Sequence, residues 1–386
     1  MAMNTQTEEQ KQIIAMIRDF VKRDIEPVAM EYDRDDIYPQ EIVDTMKELG
    51  LFGCTIAEEY GGMGLDTFTY AQIITEIAKG WMSITGILNS HLIMAHLVQT
   101  FGTEEQKSHY LPSMATGERR GGIALTEPDC GSDVAAIQTS AVKDGDDYVI
   151  NGTKMMITNG ENGNTFAVLV KTDREVQPQH RGISCFIMEK GGAGFRHGRH
   201  LEKLGYRGID TTELIFEDFH TPATSLVGMQ EGQGFKQMMS GLELGRVNVG
   251  ARAVGVALAA FHKAVTYAQQ RHSMGVPIAQ HQAIQIKLAD MYTKIEASRL
   301  LVEQAARLKD EGVRCDLEAG MAKLFASETC AEVALESMRI HGGYGYFKDY
   351  EVERYYRDAP LMLIGEGTSE IQKIVIARNL IQKFKV

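Results

Sequence analysis

A glutamate between two glycines is the residue of this chain best suited to acid–base chemistry. Glu366 stands in Gly365-Glu366-Gly367, directly after the apolar run LMLI at 361–364. Apolar surroundings raise the pKa of a carboxylate, and N–H groups at the start of a helix lower it. A glutamate balanced between these two effects can remove a weakly acidic proton from carbon. The same position also suits a loop glutamate that only caps a helix, and position alone favours this second role.

A helix is predicted directly after this glutamate. Ser369 and Gln372 form a capping-box pattern, which is typical of a helix N-terminus. The apolar residues that follow repeat at helical spacing, namely Ile371, Ile374, Val375 and Ile381. The pattern therefore predicts that Glu366 lies just before the N-terminus of a C-terminal helix.

Hydrophobic periodicity divides the chain into three regions. From Glu8 to about Gly117 the pattern is mostly helical. From Gly121 to about Gly228 the period is two, and strands are predicted at 147–150, 154–158, 165–171, 182–189 and 212–216, with a hairpin at Asn151-Gly152. Four long helical segments follow, at 235–271, 281–308, 317–339 and from Glu370, as in a four-helix bundle. We predict an α+β protein with an N-terminal helical domain (1–120), a middle β-barrel or β-sandwich domain (121–230) and a C-terminal helical bundle (231–386).

The composition argues against several classes of function. The 386 residues carry 40 Lys and Arg against 52 Asp and Glu, a net charge of −12, which argues against nucleic acid or an anionic membrane as the main partner. No apolar run approaches the roughly 18 residues of a membrane span. The acidic N-terminus resembles neither a signal peptide nor a transit peptide. The five cysteines form no CxxC pair, and no HExxH, P-loop or GxGxxG motif occurs. We therefore expect reduced thiols, a cytosol-like compartment and no metal site.

Three longer segments and three shorter ones carry a family resemblance. The longer segments are ALTEPDCGSDVAAI at 124–137, KMMITNG at 154–160 and YRDAPLMLIGEGTSEIQ at 356–372; the shorter ones are EEYGGMGL at 58–65, GTEEQK at 102–107 and HGGYGY at 341–346. In this order, over nearly the whole chain, they resemble the acyl-CoA dehydrogenase family. The resemblance implies that family's three-domain fold and FAD-dependent α,β-dehydrogenation of an acyl-CoA thioester, in fatty acid or branched-chain amino acid catabolism.

The resemblance also implies a mechanism. Glu366 would remove the α-proton while the β-hydride passes to flavin N5. The N–H of Glu366 and a hydroxyl of the FAD ribityl chain would polarise the thioester carbonyl. Some members carry the base on an earlier helix, where this chain has Gly245, so Glu366 is the only matching candidate. Electrons would leave through an electron-transferring flavoprotein. Two alternatives stay open, a flavin-dependent acyl-CoA oxidase of the same fold and a non-catalytic scaffold relative, and the length and branching of the acyl chain are not determined.

By the same resemblance, residues of the β domain would contact the flavin ring. The backbone near Leu125 and the hydroxyl of Thr126 would meet its polar edge, and the hydroxyl and N–H of Thr158 would face N5. Met156 stands where many members carry an aromatic residue, and a thioether can fill that space. The other cofactor residues implied on this side are Gly131, Ser132, Thr368 and Glu370.

A second group would serve the FAD of a neighbouring subunit. In RHSMG, Arg271 would hold the pyrophosphate, for which a planar guanidinium is a natural partner. Gln282 and the backbone of Gly342 and Gly343 would flank the ADP part, together with Arg339, which replaces a glutamine common in the family. The resemblance therefore implies a homotetramer built as a dimer of dimers, cytoplasmic in a bacterium or in the mitochondrial matrix as a processed eukaryotic form.

Four residues are implied as substrate contacts: Ser132, Glu243, Arg246 and Gly367. Glu243 and Arg246 lie three residues apart on one helical face, which equally suits an internal ion pair. In the family's fold the helix predicted at 84–101 borders the acyl pocket, so residues 89–94 are expected to line that pocket.

Overall fold

Six helices build the N-terminal region. The computed structural model describes residues 7–385, so the predicted domain limits at 1 and 386 lie outside the described residues. The helices are α1 (Glu8–Phe20), α2 (Glu26–Asp35), α3 (Gln40–Glu48), α4 (Thr67–Gly80), α5 (Met82–Phe101) and α6 (Glu104–Ala115). Thr7 begins α1 through a capping box with Gln10, and the helix buries one apolar face that includes Ile14 and Ile17.

Seven strands form one sheet in the middle region. They are β1 (Gly121–Ala124), β2 (Ser140–Asp144), β3 (Asp147–Thr158), β4 (Thr165–Lys171), β5 (Ile183–Glu189), β6 (Phe195–His200) and β7 (Thr211–Pro222). The strand order is β1-β4-β2-β3-β7-β6, and β5 also pairs with β4. The pairs of β4 with β1 and β2 are parallel, and the other pairs are antiparallel. Sequence periodicity did not indicate β1, β2 or β6, which are short, glycine-rich or largely charged.

The predicted hairpin at Asn151-Gly152 is wrong. Strand β3 continues through both residues, and a register shift there forms a bulge opposite β7. Gly152 has φ 147°, which favours glycine, and the side chain of Asn151 exchanges hydrogen bonds with Asp218 on β7 at 3.0 and 2.8 Å. The two-residue turn lies instead at Gly145-Asp146, between β2 and β3.

Five helices and a short hairpin complete the chain. The helices are α7 (Gly234–Gln270), α8 (Gln282–Asp310), α9 (Asp316–His341), α10 (Val352–Ile364) and α11 (Ser369–Lys383), and strands β8 (His272–Ser273) and β9 (Val276–Pro277) lie between α7 and α8. The four predicted helices are present, and α10 is an additional one. Pro360 lies inside α10 and argues against a helix in the sequence. Tertiary contacts hold it nevertheless, because Tyr355 and Met362 are buried and Asp358 accepts a hydrogen bond from the backbone N–H of Tyr206 at 2.7 Å.

Helix α7 is the central element of the two helical regions. It packs against α4, α5, α8 and α9, and one hydrophobic core extends across both regions. Contrary to the expectation from sequence, α7 is long and apolar enough to cross a membrane. However, 89% of its apolar window is buried inside the protein. Packing against these helices and α10 therefore accounts for its apolar character.

The start of α11 corrects the predicted capping box. Thr368, not Ser369, is the N-cap residue, and its side chain accepts a hydrogen bond from a backbone N–H in the first turn. The side chain of Gln372 does not return to the cap. It donates to the backbone carbonyls of Glu366 and Gly367, at 3.3 and 3.1 Å. The first turn of α11 therefore holds the backbone that carries the predicted base.

Candidate active site

Glu366 lies in the short turn between α10 and α11. Its φ is 54°, and Gly367 follows with a φ of 90°, so two successive residues adopt left-handed conformations. Glycine adopts this region freely, whereas a glutamate does so rarely and at some cost. Such strain in a residue other than glycine is frequent at functional sites. The residue as a whole is half-buried, but its carboxylate oxygen Oε2 is buried and has no hydrogen-bond partner among the residues that the structure describes.

Two helices bound this carboxylate. Asn89 on α5 donates a hydrogen bond from Nδ2 to the other oxygen, Oε1, of Glu366. Helix α7 passes so close to Oε2 that a Cβ placed on Gly245 would lie only 1.9 Å from it. Glycine at 245 is therefore required for Glu366 to occupy this position. The two sequence positions considered for the base thus project into the same space, and here Glu366 fills it.

The charges around Glu366 act in opposite directions on its pKa. Burial raises the pKa of the carboxyl above its usual range, and the cation of Arg252, the hydrogen bond from Asn89 and the cations of Lys323 and Arg246 each work to lower it. All three cations are almost completely buried. The net shift is upward, so the carboxylate binds an abstracted proton more tightly than a surface glutamate would. The site therefore has the properties of a general base.

A chain of polar contacts connects the base to the β domain. The guanidinium of Arg252 donates to Asn248 at 2.8 Å and lies 5.5 Å from the ring centre of Tyr206. The side chains of Arg252 and Thr158 both act on the hydroxyl of Tyr206, and each works to lower its pKa against the effect of burial. Thr158, predicted to face flavin N5, is thus linked to the surroundings of Glu366. Sequence reasoning missed Tyr206 and Arg252, although an arginine inside the apolar segment GARAVGV was a signal for the second.

The ion pair considered between Glu243 and Arg246 does not form. Glu243 accepts hydrogen bonds from Lys309 at 2.7 Å and from the backbone N–H of Cys315 at 2.9 Å. Arg246 pairs with Asp316 at 3.2 Å. Both side chains therefore tie α7 to the connection between α8 and α9. A substrate contact for either residue stays a prediction.

The two motifs predicted to hold the flavin lie side by side. The carbonyl of Thr126 accepts a hydrogen bond from the backbone N–H of Met155 at 2.8 Å. Beneath them, Lys154 forms an ion pair with Glu127 at 2.7 Å, and both side chains are buried. Lys154 also donates to the carbonyl of Leu125 at 3.3 Å. These contacts position Leu125 and Thr126 next to the strand that leads to Thr158.

Four of the five other residues predicted to contact the flavin face solvent. Met156 is 65% exposed with φ 62°, and Gly131 and Ser132 are exposed as well. Thr368 is the N-cap of α11, and Glu370 in the first turn of that helix is exposed. The cofactor roles of all five residues stay predictions.

A groove of about 820 Å³ in the C-terminal region has the chemistry of a nucleotide site. Arg271 lies in it, with its guanidinium 5.8 Å from the ring centre of Tyr344. A Cβ placed on Gly342 or Gly343 would meet nothing within 4 Å, so their backbone is open to the groove. A cation, an aromatic ring and open backbone groups fit the ADP part of FAD. All lining residues fall within 267–350, so the flavin motifs of the β domain do not contribute to this groove.

Two further predicted residues lie outside the lining of this groove. Arg339 forms an ion pair with Glu336 one turn earlier on α9. Gln282 is exposed at the start of α8. Their contacts with the ADP part remain predictions.

Comparison with known proteins agrees with the division of the chain into three regions. Family models described as the N-terminal, middle and C-terminal domains of acyl-CoA dehydrogenase match residues 7–118, 122–219 and 232–381. This chain belongs to the acyl-CoA dehydrogenase family. Members of the family are FAD-dependent oxidoreductases, so the predicted enzyme class, cofactor and three-domain architecture are confirmed.

Individual relatives of this dehydrogenase match over almost their whole length. An acyl-CoA dehydrogenase of Bacillus subtilis is 43% identical over 376 residues, which are 97% of this chain and 98% of the relative. The structure of butyryl-CoA dehydrogenase from Megasphaera elsdenii superposes with a TM-score of 0.95 at 38% identity, covering 98% of this chain and 99% of the other. A chain from the structure described as the electron transferring flavoprotein of Acidaminococcus fermentans gives a TM-score of 0.95 at 42% identity, with coverage of 98% and 99%.

Proposed function

We propose that this acyl-CoA dehydrogenase oxidises a short-chain acyl-CoA at Cα–Cβ, with Glu366 as the catalytic base. One observation carries the assignment of the base. The buried carboxylate of Glu366 is held by Asn89 through Oε1, while Oε2 has no partner within residues 7–385 and faces the space that Gly245 leaves open. A buried carboxylate oxygen without a partner is costly unless a ligand or the reaction uses it. The short chain is supported by the likeness to butyryl-CoA dehydrogenase.

Each group around the base has a separate task in this proposal. Glu366 accepts the α-proton on Oε2, and its own backbone N–H stabilises the charge that develops on the thioester oxygen. Asn89 keeps the carboxylate in one orientation, so that the free oxygen points to the reacting carbon. Arg252 and Arg246, both buried, oppose the rise that burial causes in the pKa of the carboxyl and so favour its ionised form.

The cofactor would be held by two separate parts of the protein. FAD, when bound, supplies the acceptor for the β-hydride. Leu125, Thr126 and Thr158 would contact its flavin ring, as the adjacent positions of their two segments support. Arg271 and the open backbone at Gly342 would hold an ADP part in the groove. Because that groove is built from the C-terminal region alone, we propose that it serves the FAD of a second subunit in a homotetramer.

We propose an electron-transferring flavoprotein as the electron acceptor, which the likeness to a structure described by that name supports. An oxidase of the same fold would pass the electrons to dioxygen instead. Turnover in air separates the two, because an oxidase accumulates hydrogen peroxide in proportion to substrate consumed. Stoichiometric peroxide would overturn the proposed acceptor without affecting the role of Glu366.

Bleaching of the flavin in single-turnover experiments tests the proposed reaction. The purified protein is mixed without oxygen with straight, branched and cyclic acyl-CoA thioesters, and flavin absorbance is followed by stopped flow. We expect the wild type to bleach fastest with a short straight chain. Glu366→Gln keeps the shape of the side chain but cannot accept the proton, so its rate should fall by about 10²–10⁴-fold.

Binding and chemistry are separated by two controls. Glu366→Gln should still retain FAD and bind a product-like enoyl-CoA, because it loses only the proton acceptor. Glu328→Gln makes the same substitution at a half-exposed glutamate paired with Lys373, and it should bleach at the wild-type rate. If Glu366→Gln were reduced as fast as the wild type, another residue would have to be the base.

A further inference from the structure

We propose that Lys323 is a positioning residue for the base, which fixes the backbone turn at Glu366-Gly367 and places a positive charge beside it. This inference rests on the proposed role of Glu366. The hydrogen bond of Lys323 goes to the backbone beside the base and not to the carboxylate, so Lys323 positions the base through that backbone.

The position of Lys323 is unusual for a lysine. It lies within α9, and its side chain is completely buried. Lysine is almost never fully buried unless it is paired, because its ammonium group loses its hydration. Its hydrogen bond goes to a backbone carbonyl, that of Gly367, at 2.8 Å. A buried ammonium on this one carbonyl indicates that holding the carbonyl in place is its task.

The carbonyl of Gly367 belongs to a turn that needs such support. Glu366 and Gly367 both have positive φ, and a glutamate does not hold that conformation by its own preference. Lys323 from α9 and Gln372 from α11 donate to the same carbonyl, at 2.8 and 3.1 Å. Gln372 also reaches the carbonyl of Glu366 itself. Two donors from two helices therefore fix the direction in which the Glu366 side chain leaves the backbone.

The charge of Lys323 acts on the base as well. Besides Lys323 itself, five charged or titratable groups surround Glu366 and Lys323. They are Arg246 and Arg252 on α7, Tyr70 on α4, Tyr206 before β7 and Glu370 on α11. Burial lowers the pKa of Lys323 to about 8, so the group is still mostly protonated at neutral pH. Its positive charge works against the upward shift in the pKa of Glu366. Removing the charge should therefore raise that pKa further.

Lys323→Met tests the proposal, because methionine keeps the length of the side chain but has neither charge nor donor. With a short acyl-CoA, we expect flavin reduction to slow by at least about tenfold, with a smaller change in KM. The acid limb of the kcat/KM profile should move to higher pH. In hydrogen exchange, the peptide that contains residues 365–370 should exchange faster. Lys373→Met, at an exposed lysine of α11, is the matched control and should change none of the three.

Two further variants separate position from charge. Gln372→Leu removes the second donor without removing a charge, so it should slow reduction and speed exchange while the acid limb stays in place. If Lys323→Met fails to retain FAD, Lys323→Gln restores a neutral donor and should still shift the acid limb, with a smaller loss of rate. An acid limb and an exchange rate that stay at wild-type values in the lysine variants would overturn the proposal. Failure of the proposed function is recognised separately, because the wild type itself would then not be bleached by any acyl-CoA.

Discussion

Replacing Gly245 by alanine should move the carboxylate of Glu366 while leaving the glutamate itself unchanged. The added Cβ would lie 1.9 Å from Oε2 of Glu366 and 2.9 Å from Cδ1 of Ile93. An ordinary contact begins at 3.4 Å, so the carboxylate oxygen has to move by about 1.5 Å. A misplacement of about 1 Å can cost about 10²-fold in rate, which corresponds to about 2.7 kcal/mol in activation free energy. We therefore expect flavin reduction in Gly245→Ala to slow by about 10²-fold.

Stopped-flow reduction under anaerobic conditions measures this effect, with FAD content and thermal stability determined in parallel. Gly241→Ala is the matched control, because it lies one turn earlier on α7 and its Cβ also crowds Ile93, at 2.8 Å, but it does not reach Glu366. Both variants share the crowding of α5, and only Gly245→Ala displaces the carboxylate. A rate for Gly245→Ala within about threefold of the Gly241→Ala rate would refute the reasoning.

The same geometry predicts a reciprocal rescue. Position 245 projects into the space of the Glu366 carboxylate, so a glutamate placed there brings a carboxylate to nearly the same region. Glu366→Gly combined with Gly245→Glu should therefore recover part of the reduction rate that Glu366→Gly alone loses. Equal rates for the single and the double variant would show that the two positions are not interchangeable in this chain.

Two other properties follow from the structure. Arg271→Ala should lower FAD retention after gel filtration, because the groove loses its cation, and an unchanged flavin-to-protein ratio would contradict this role. Burial lowers the pKa of His91 to about 4. Below about pH 6.5 the unfolded chain therefore takes up a proton at this histidine that the folded protein does not. The free energy of unfolding should fall by about 3 kcal/mol as the pH drops from 6.5 towards 4. His91→Gln should flatten the dependence of the urea midpoint on pH in that range, and the buried His96, with a similar pKa, should account for what remains.

Local patterns of the sequence predicted the architecture and the residue that we propose as the base. Helical and alternating periodicity depends on residues that are neighbours along the chain, so α7, α8, α9 and β4 could be predicted within a few residues. The ordered motifs indicated the family and, through it, FAD and Glu366. A helix start after Glu366 was also predicted, although the cap is Thr368 and not Ser369.

Some local sequence signals are compatible with two different backbone structures, and contacts in the tertiary structure decided which one forms. Asn-Gly suits a two-residue turn and a bulge equally, and pairing of Asn151 with Asp218 on β7 selected the bulge. Pro360 argues against a helix, but burial of Tyr355 and Met362 against the core kept α10 intact. Neither Asp218 on β7 nor the core surface under α10 can be deduced from the local sequence around Asn151 or Pro360.

The surroundings of the base were also a matter of tertiary structure. Asn89 is 277 residues from Glu366 along the chain, and Lys323 is 44 residues from the carbonyl it holds. Helix crossings bring these groups together, and no periodic pattern encodes which polar side chain of one helix meets which residue of another. The sequence therefore determined that a glutamate lies directly before α11. The crossing of α5, α7 and α9 around it decided its burial and its charge environment. The same crossing left Oε2 without a hydrogen-bond partner among the described residues.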